Sequence, residues 1–227
     1  MFWKRRDPVE KCADVLYAAL KGAVTQGGRI RVEDLISAAA AIVGEAAIAK
    51  AGDYDPRRHN QPPGARVFST RINQLICDDK SFQEAPTDSI VGDLRDRLIV
   101  CGFSQSDFPK LEEIFKHFAA NIGKKEDWGK VPLSIAQQHH PFAQPLHIAY
   151  DTRAIVDSSL SALGDDKGNR LRATTAVLAR ALCETRDALN RTDATTLAIE
   201  TVNGMAKTAP MTDAAMAKIL EAAKTKS

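Results

Sequence analysis

Aromatic side chains are scarce, 6% of the 227 residues, and unevenly spread. Every Phe and Trp lies at or before Phe142, and no Tyr follows Tyr150. From Asp151 onward the chain therefore cannot build a thick aromatic core. Its Ala, Leu, Val and Thr favour close, smooth helix pairing instead. Cysteine is also sparse: Cys12, Cys77, Cys101 and Cys183 stand far apart, with no Cys-x-x-Cys pair. That spacing excludes a readable metal knuckle or dithiol motif. A chain this long does not need disulfides to fold, so all four are expected as reduced, mostly buried thiols.

Neither sign of charge is in excess. Lys and Arg number 31 against 29 Asp and Glu, a formal charge of +2, which leaves no global field to attract nucleic acid or an anionic membrane. Long hydrophobic runs are missing as well. The longest weakly charged stretch, Leu35 to Ala49, is broken by Glu45. As a helix it spans roughly 22 Å at 1.5 Å per residue, short of the roughly 30 Å hydrocarbon layer, so no membrane insertion is expected. The opening Met1-Phe2-Trp3-Lys4-Arg5-Arg6 runs into Asp7, Glu10, Lys11 and Asp14 rather than an apolar segment. A secretory leader is not expected, and a cytoplasmic location follows by default. Gly-x-Ser-x-Gly, Gly-x-Gly-x-x-Gly and Gly-Lys-Ser/Thr signatures are all absent, which leaves the readable hydrolase, dinucleotide and phosphate-loop classes unsupported. No cofactor is expected.

What is present is helical periodicity with matching stop signals. The hydrophobic fraction of 44% and charged fraction of 26% are those of an ordinary globular chain, which excludes wholesale disorder. Apolar residues recur at helical spacing from Asp7 to about Val24, with Gly27-Gly28 after the end. Val32 to Lys50 is apolar on nearly every side, as in LISAAAAIVG, and a helix of that kind is normally surrounded by others. Further helices are read at about Val67–Cys77, Asp88–Cys101 with Thr87 or Asp88 as cap, and Ser104–Asn121; the last two are expected as antiparallel neighbours. Leu146–Leu163, Asn169–Leu189, Asp193–Met205 and Thr212–Ala223 complete the set.

The expected fold is all-α, a multi-helix bundle of about eight to nine helices with little or no β-sheet. Residues 1–6 read as a flexible tail and 7–123 as an aromatic-packed bundle with its central helix at 32–50 and a loop at 52–66. Residues 124–145 read as an irregular linker or loop, and 146–227 as an Ala- and Thr-rich helical subdomain whose last few residues fray.

The most unusual stretch is AGDYDPRRHNQPPGARVFSTRINQLI. From Pro56 to Cys77 it holds Arg57, Arg58, Arg66, Arg71 and His59 without an acid, preceded by Asp53 and Asp55. Arg offers a planar fork suited to phosphate or carboxylate, and a helix start adds partial positive charge. A site for an anionic group is thus readable from Glu45, Asp53, Asp55, Arg57, Arg58, His59, Arg66, Ser69, Arg71 and Asn73. Equally, the two aspartates can pair with the arginines and pin the loop to the bundle. Glu45 stands in the apolar context GEAAIA, where an unpaired carboxylate would cost several kcal/mol, so it needs water or a cation, with Arg57, Arg58 or Arg66 as natural partners.

The QHHPFAQPLH stretch carries His139, His140 and His147, with Asp151 one turn on. It lacks a recognised ligand spacing, and no metal site is assigned. The basic run Lys167, Arg170, Arg172 and Arg180 scatters around its helix rather than forming a groove-facing stripe, so no nucleic acid partner is expected.

Two functions remain. The leading one is a non-catalytic helical protein that associates with itself or another protein through its Ala- and Thr-rich C-terminal helices. The alternative is a small anionic-ligand binding protein or enzyme whose site lies where residues 52–73 meet the central helix.

Overall fold

The apolar stretch after Arg31 becomes helix α2, Val32–Ala51, and burying it organises the whole chain. Residues 7–54, 61–122 and 127–224 are described in the computed structural model; the expected tail 1–6 and the last residues 225–227 lie outside them. Among the described residues nine α-helices are present and no strand. Before and after α2 come α1 (Pro8–Val24), α3 (Thr70–Ile76), α4 (Ile90–Val100) and α5 (Leu111–Ala120). They are followed by α6 (Pro145–Ser159), α7 (Lys167–Thr185), α8 (Arg191–Ala206) and α9 (Asp213–Lys224). The all-α multi-helix bundle read from periodicity is the architecture observed.

Every residue from Leu35 to Gly44 is buried, as expected for a helix without a polar face. Helices α8, α7, α6, α1 and α3 surround it, with α8 and α7 making the most extensive contacts. The α2–α8 crossing is close because Gly44 carries no side chain. A Cβ there would lie 2.4 Å from the Met205 Cβ and 2.8 Å from the Ala206 nitrogen. Small residues on α7 and α8, among them Ala173, Ala176, Ala181, Ala194 and Ala198, are buried against this centre.

The apolar core runs from Val9 to Ala209 without a break between halves. Among the described residues α7 and α8 form one core together with α2. Charge reinforces the outer ring. Arg97 of α4 binds Glu10 of α1 at 2.9 Å and Asp93 at 2.8 Å, while Arg180 of α7 binds Glu10 at 2.9 Å and Asp14 at 2.8 Å.

Irregular segments are tied down by backbone hydrogen bonds. In place of a free loop, 64–67 pairs with 207–209: Gly64 N–H donates to the Ala209 carbonyl (2.9 Å), Ala209 N–H to Ala65 (2.7 Å) and Val67 N–H to Lys207 (2.9 Å). The stretch after Trp128 is a strap rather than a linker. Arg31 donates to the carbonyls of Gln138 (2.7 Å) and His140 (2.8 Å), and Asp34 accepts from Phe142 N–H (2.7 Å).

Several expectations are corrected. The helix expected from Val67 starts at Thr70, because Val67–Ser69 is extended and the Ser69 hydroxyl caps Arg71 and Ile72. Ser89, not Thr87 or Asp88, caps α4, accepting from Gly92 N–H at 3.1 Å. The 104–121 helix is split into a 3-10 turn, Gln105–Asp107, and α5, because Phe108 precedes Pro109 and is held extended. Nor are α4 and α5 packed neighbours: α4 lies on α7 and α5 on α8. Finally, Cys101 and Cys183 are bonded, with Cα atoms 5.7 Å apart, while only Cys12 and Cys77 are free and buried thiols. The bond ties the end of α4 to α7, a pairing across 82 residues that spacing could not reveal.

Two outcomes follow from this packing. Gly44→Ala should destabilise by about 1–3 kcal/mol through overpacking. Gly22→Ala, with nothing within 4 Å of its added carbon, should stabilise by about 0.5–1 kcal/mol. Urea midpoints compared at constant m-value read both. The oxidised chain, denatured without reductant, should show two reactive thiols, and reduction should remove about 2–4 kcal/mol of stability.

Candidate functional site

The ten residues singled out by the sequence do not converge. Asp55, Arg57, Arg58 and His59 lie outside the described residues. Arg66 is a structural pin: it donates to the Thr208 hydroxyl (2.8 Å) and the Lys130 carbonyl (2.8 Å) and lies over the Phe118 ring at 5.1 Å. Burial lowers its pKa, opposed by Asp127. Asp53, Ser69 and Arg71 do come together. The Ser69 hydroxyl donates to Asp53, which also pairs with Arg71 at 3.3 Å. This cluster closes the start of α3 and leaves Arg71 largely exposed; Asn73, one turn on, has a buried carbonyl oxygen with no partner among the described residues.

Glu45 is elsewhere. Its partner is Arg153 of α6 at 3.3 Å, not an arginine of the 52–66 loop. The exchange has a simple geometric cause: Glu45 is on the side of α2 that faces α6 and α7, whereas Arg66 is held at residues 130 and 208.

Around Glu45 the sequence builds a cleft from three helical stripes. Ile42, Glu45, Ala46 and Ala49 recur at helical spacing on α2, Arg153, Val156 and Asp157 on α6 with Leu160 just past its end, and Lys167, Arg170 and Thr174 on α7. Arg153 also donates to the Met211 carbonyl at 2.9 Å and lies 5.3 Å from the Tyr150 ring centre. Arg170 pairs with Asp157 at 2.5 Å. Lys167 begins α7 and has no ion-pair partner among the described residues; the Asp166 carboxylate caps that first turn, accepting from Asn169 N–H at 3.0 Å. Burial raises the pKa of Glu45, and Arg153 pulls it back.

The cleft therefore holds three cationic groups against two carboxylates, one of them disposed to accept a proton. Arg153, Asp157, Lys167 and Arg170 escaped sequence reasoning. The signal available was the lone Glu45 in an apolar helix, which demanded a cation without saying which helix would supply it.

A second polar feature lies beneath α5. Glu200 and Asn203 lie on α8, and Lys207 follows at its C-cap. Glu200 accepts from Ser134 N–H at 2.9 Å through one oxygen, while its other oxygen, the Asn203 amide and the His117 Nε2 are buried without a partner among the described residues. Burial raises the Glu200 pKa, with Ser134 and then His117 and His140 opposing. Burial lowers the Lys207 pKa to about 8, with Cys77 and Asp79 opposing, and its ammonium lies 5.0 Å from the Phe115 ring centre and 5.5 Å from that of Phe118.

The histidines go separate ways. His139 Nδ1 meets Glu33 at 3.0 Å, and His140 Nε2 meets the Ile135 carbonyl at 3.0 Å. Among the described residues no group of three or more His, Cys, Asp and Glu is placed to hold a metal ion, and no helix is long and apolar enough to cross a membrane.

Buried Glu200 and Lys207 have opposite pH signatures. A raised Glu200 means that the folded state holds its proton more tightly, so that contribution is complete below about 4.5, the ordinary glutamate value, and is lost as pH rises through the folded value. Glu200→Gln should therefore gain on the native protein at neutral pH, the difference closing toward pH 4. For Lys207 the unfolded chain holds the extra proton between about 8 and 10.5, so native stability should climb across that window and Lys207→Met should not follow it. Urea denaturation at stepped pH measures both. No protein-family model matches the chain, and no curated protein or solved structure shows significant similarity to it.

Proposed function

We propose that this chain is a small-anion binding protein whose site is the cleft between α2, α6 and α7. The observation that carries the reading is the convergence of Arg153, Lys167 and Arg170 on one concavity, with Glu45 and Asp157 in its wall and Asp213 on the adjoining trough. Cations gathered around a recess attract a mobile anion more strongly than the same charges spread on a convex surface. Arg153 and Arg170 are each held by a carboxylate, so their unused donors are already oriented. Lys167 supplies the charge left without a partner among the described residues.

This is the ligand-binding alternative of the sequence reading, moved from residues 52–73 to the opposite partners of Glu45. The association reading draws less support. The Ala and Thr positions of α7 and α8 that suggested a self-complementary surface are buried against α2 and its neighbours. The setting we favour is an oxidising one. A Cys101–Cys183 bond persists there and would be rare in the cytoplasm first expected.

The test is thermal denaturation with a panel of small carboxylates and phosphates. An anion at tenfold its Kd should stabilise by about 1.4 kcal/mol, or roughly 3–6 °C for a chain of this size. Lys167→Glu, an exposed change that leaves the core intact, should abolish the shift. If no anion raises the native midpoint, or the charge reversal leaves the shift unchanged, the assignment fails.

A further inference from the structure

The cleft, about 180 Å³ in all, mixes two chemistries in its lining: beside the charged groups stand the apolar Ile42, Ala46, Val156 and Leu160. Thr174 also lines it, yet the Thr174 hydroxyl is satisfied within its own helix by the Leu171 carbonyl at 2.9 Å. Outward, the same Glu45, Arg153 and Lys167 border a wider trough of about 800 Å³ with Tyr54, Met211 and Asp213. A purely polar anion such as inorganic phosphate would leave the apolar part of the lining uncovered.

Resting on the anion-binding reading, we infer that the ligand joins a single carboxylate to a compact apolar body, one aromatic ring or a short branched chain. Size supports the body. An apolar cavity of about 150 Å³ accommodates benzene, so a cleft of about 180 Å³ has room for one ring with its anionic group and not for a fused pair. Charge supports the single carboxylate. With Glu45 and Asp157 in the wall and Asp213 bordering the outer trough, a phosphate dianion would place additional charge beside carboxylates, whereas a single carboxylate adds less. The Arg153 fork matches a carboxylate in plane.

The experiment measures Kd by calorimetry on the intact oxidised chain for benzoate, 3-methylbutanoate, acetate, inorganic phosphate, phenyl phosphate and benzyl alcohol. Burying the apolar body should make benzoate and 3-methylbutanoate bind at least about tenfold more tightly than acetate. Ala49→Leu, an exposed position in the cleft lining, should weaken benzoate about tenfold while leaving acetate and the melting midpoint unchanged.

Acetate equal to benzoate would overturn the apolar body while the anion site stood. Phenyl phosphate tighter than benzoate would overturn the carboxylate but not the site. Benzyl alcohol equal to benzoate would overturn both this inference and the anion reading. Absence of binding by every carboxylate would overturn the ligand class, with the phosphate arms then deciding whether any anion site exists.

Discussion

A helix that is apolar on all sides has to be surrounded, and α2 imposes that requirement on every other element. No single neighbour can cover it, so five helices gather around it, and those lying closest must present small side chains. Gly44 against Met205 is the tightest expression of this constraint, and the alanines of α7 and α8 are its continuation. The absence of aromatics after Tyr150 thus has a packing cause. Bulky rings would hold α7 and α8 away from α2, while Ala and Thr let the axes approach. The aromatic residues sit outside this centre, where Phe82 and Phe108 stack with ring centres 4.3 Å apart.

Polar groups inside such a bundle are exceptions that need local support, and the two found here are supported differently. Glu45 interrupts α2 where α6 and α7 diverge enough to leave a recess, and Arg153 compensates it. Glu200 is deeper, held by one backbone N–H of the strap, and much of the polar surface around it is unpartnered among the described residues. The first opens to a trough; the second is closed beneath α5. That difference in access, rather than in acid strength, is why the cleft and not the α8 group carries the functional reading.

The arginine-rich stretch shows that cations adjacent in the sequence need not converge in space. Four arginines without an acid suggest an anion site when residues 56–77 are read as a line. In space Arg66 satisfies backbone and hydroxyl oxygens two chain segments away, and Arg71 closes a helix cap. The cations that do converge are spread over residues 153 to 170 and look ordinary on their own helices, each with acids nearby in sequence. Only their relation to Glu45 makes them a site.

By itself the sequence determined the helical class, the central position of α2 and most helix spans, because helical periodicity, caps and glycine stops act over one or two turns and are written in neighbouring residues. It also determined that Glu45 needs a cation. The tertiary structure alone decided which cation, that Cys101 and Cys183 meet, that α4 and α5 part company onto α7 and α8, and that α7 and α8 form one core together with α2. Each of these depends on how helices far apart in the chain cross one another. A crossing is set by the joint shape of two surfaces, and neither surface records its partner in its own order of residues.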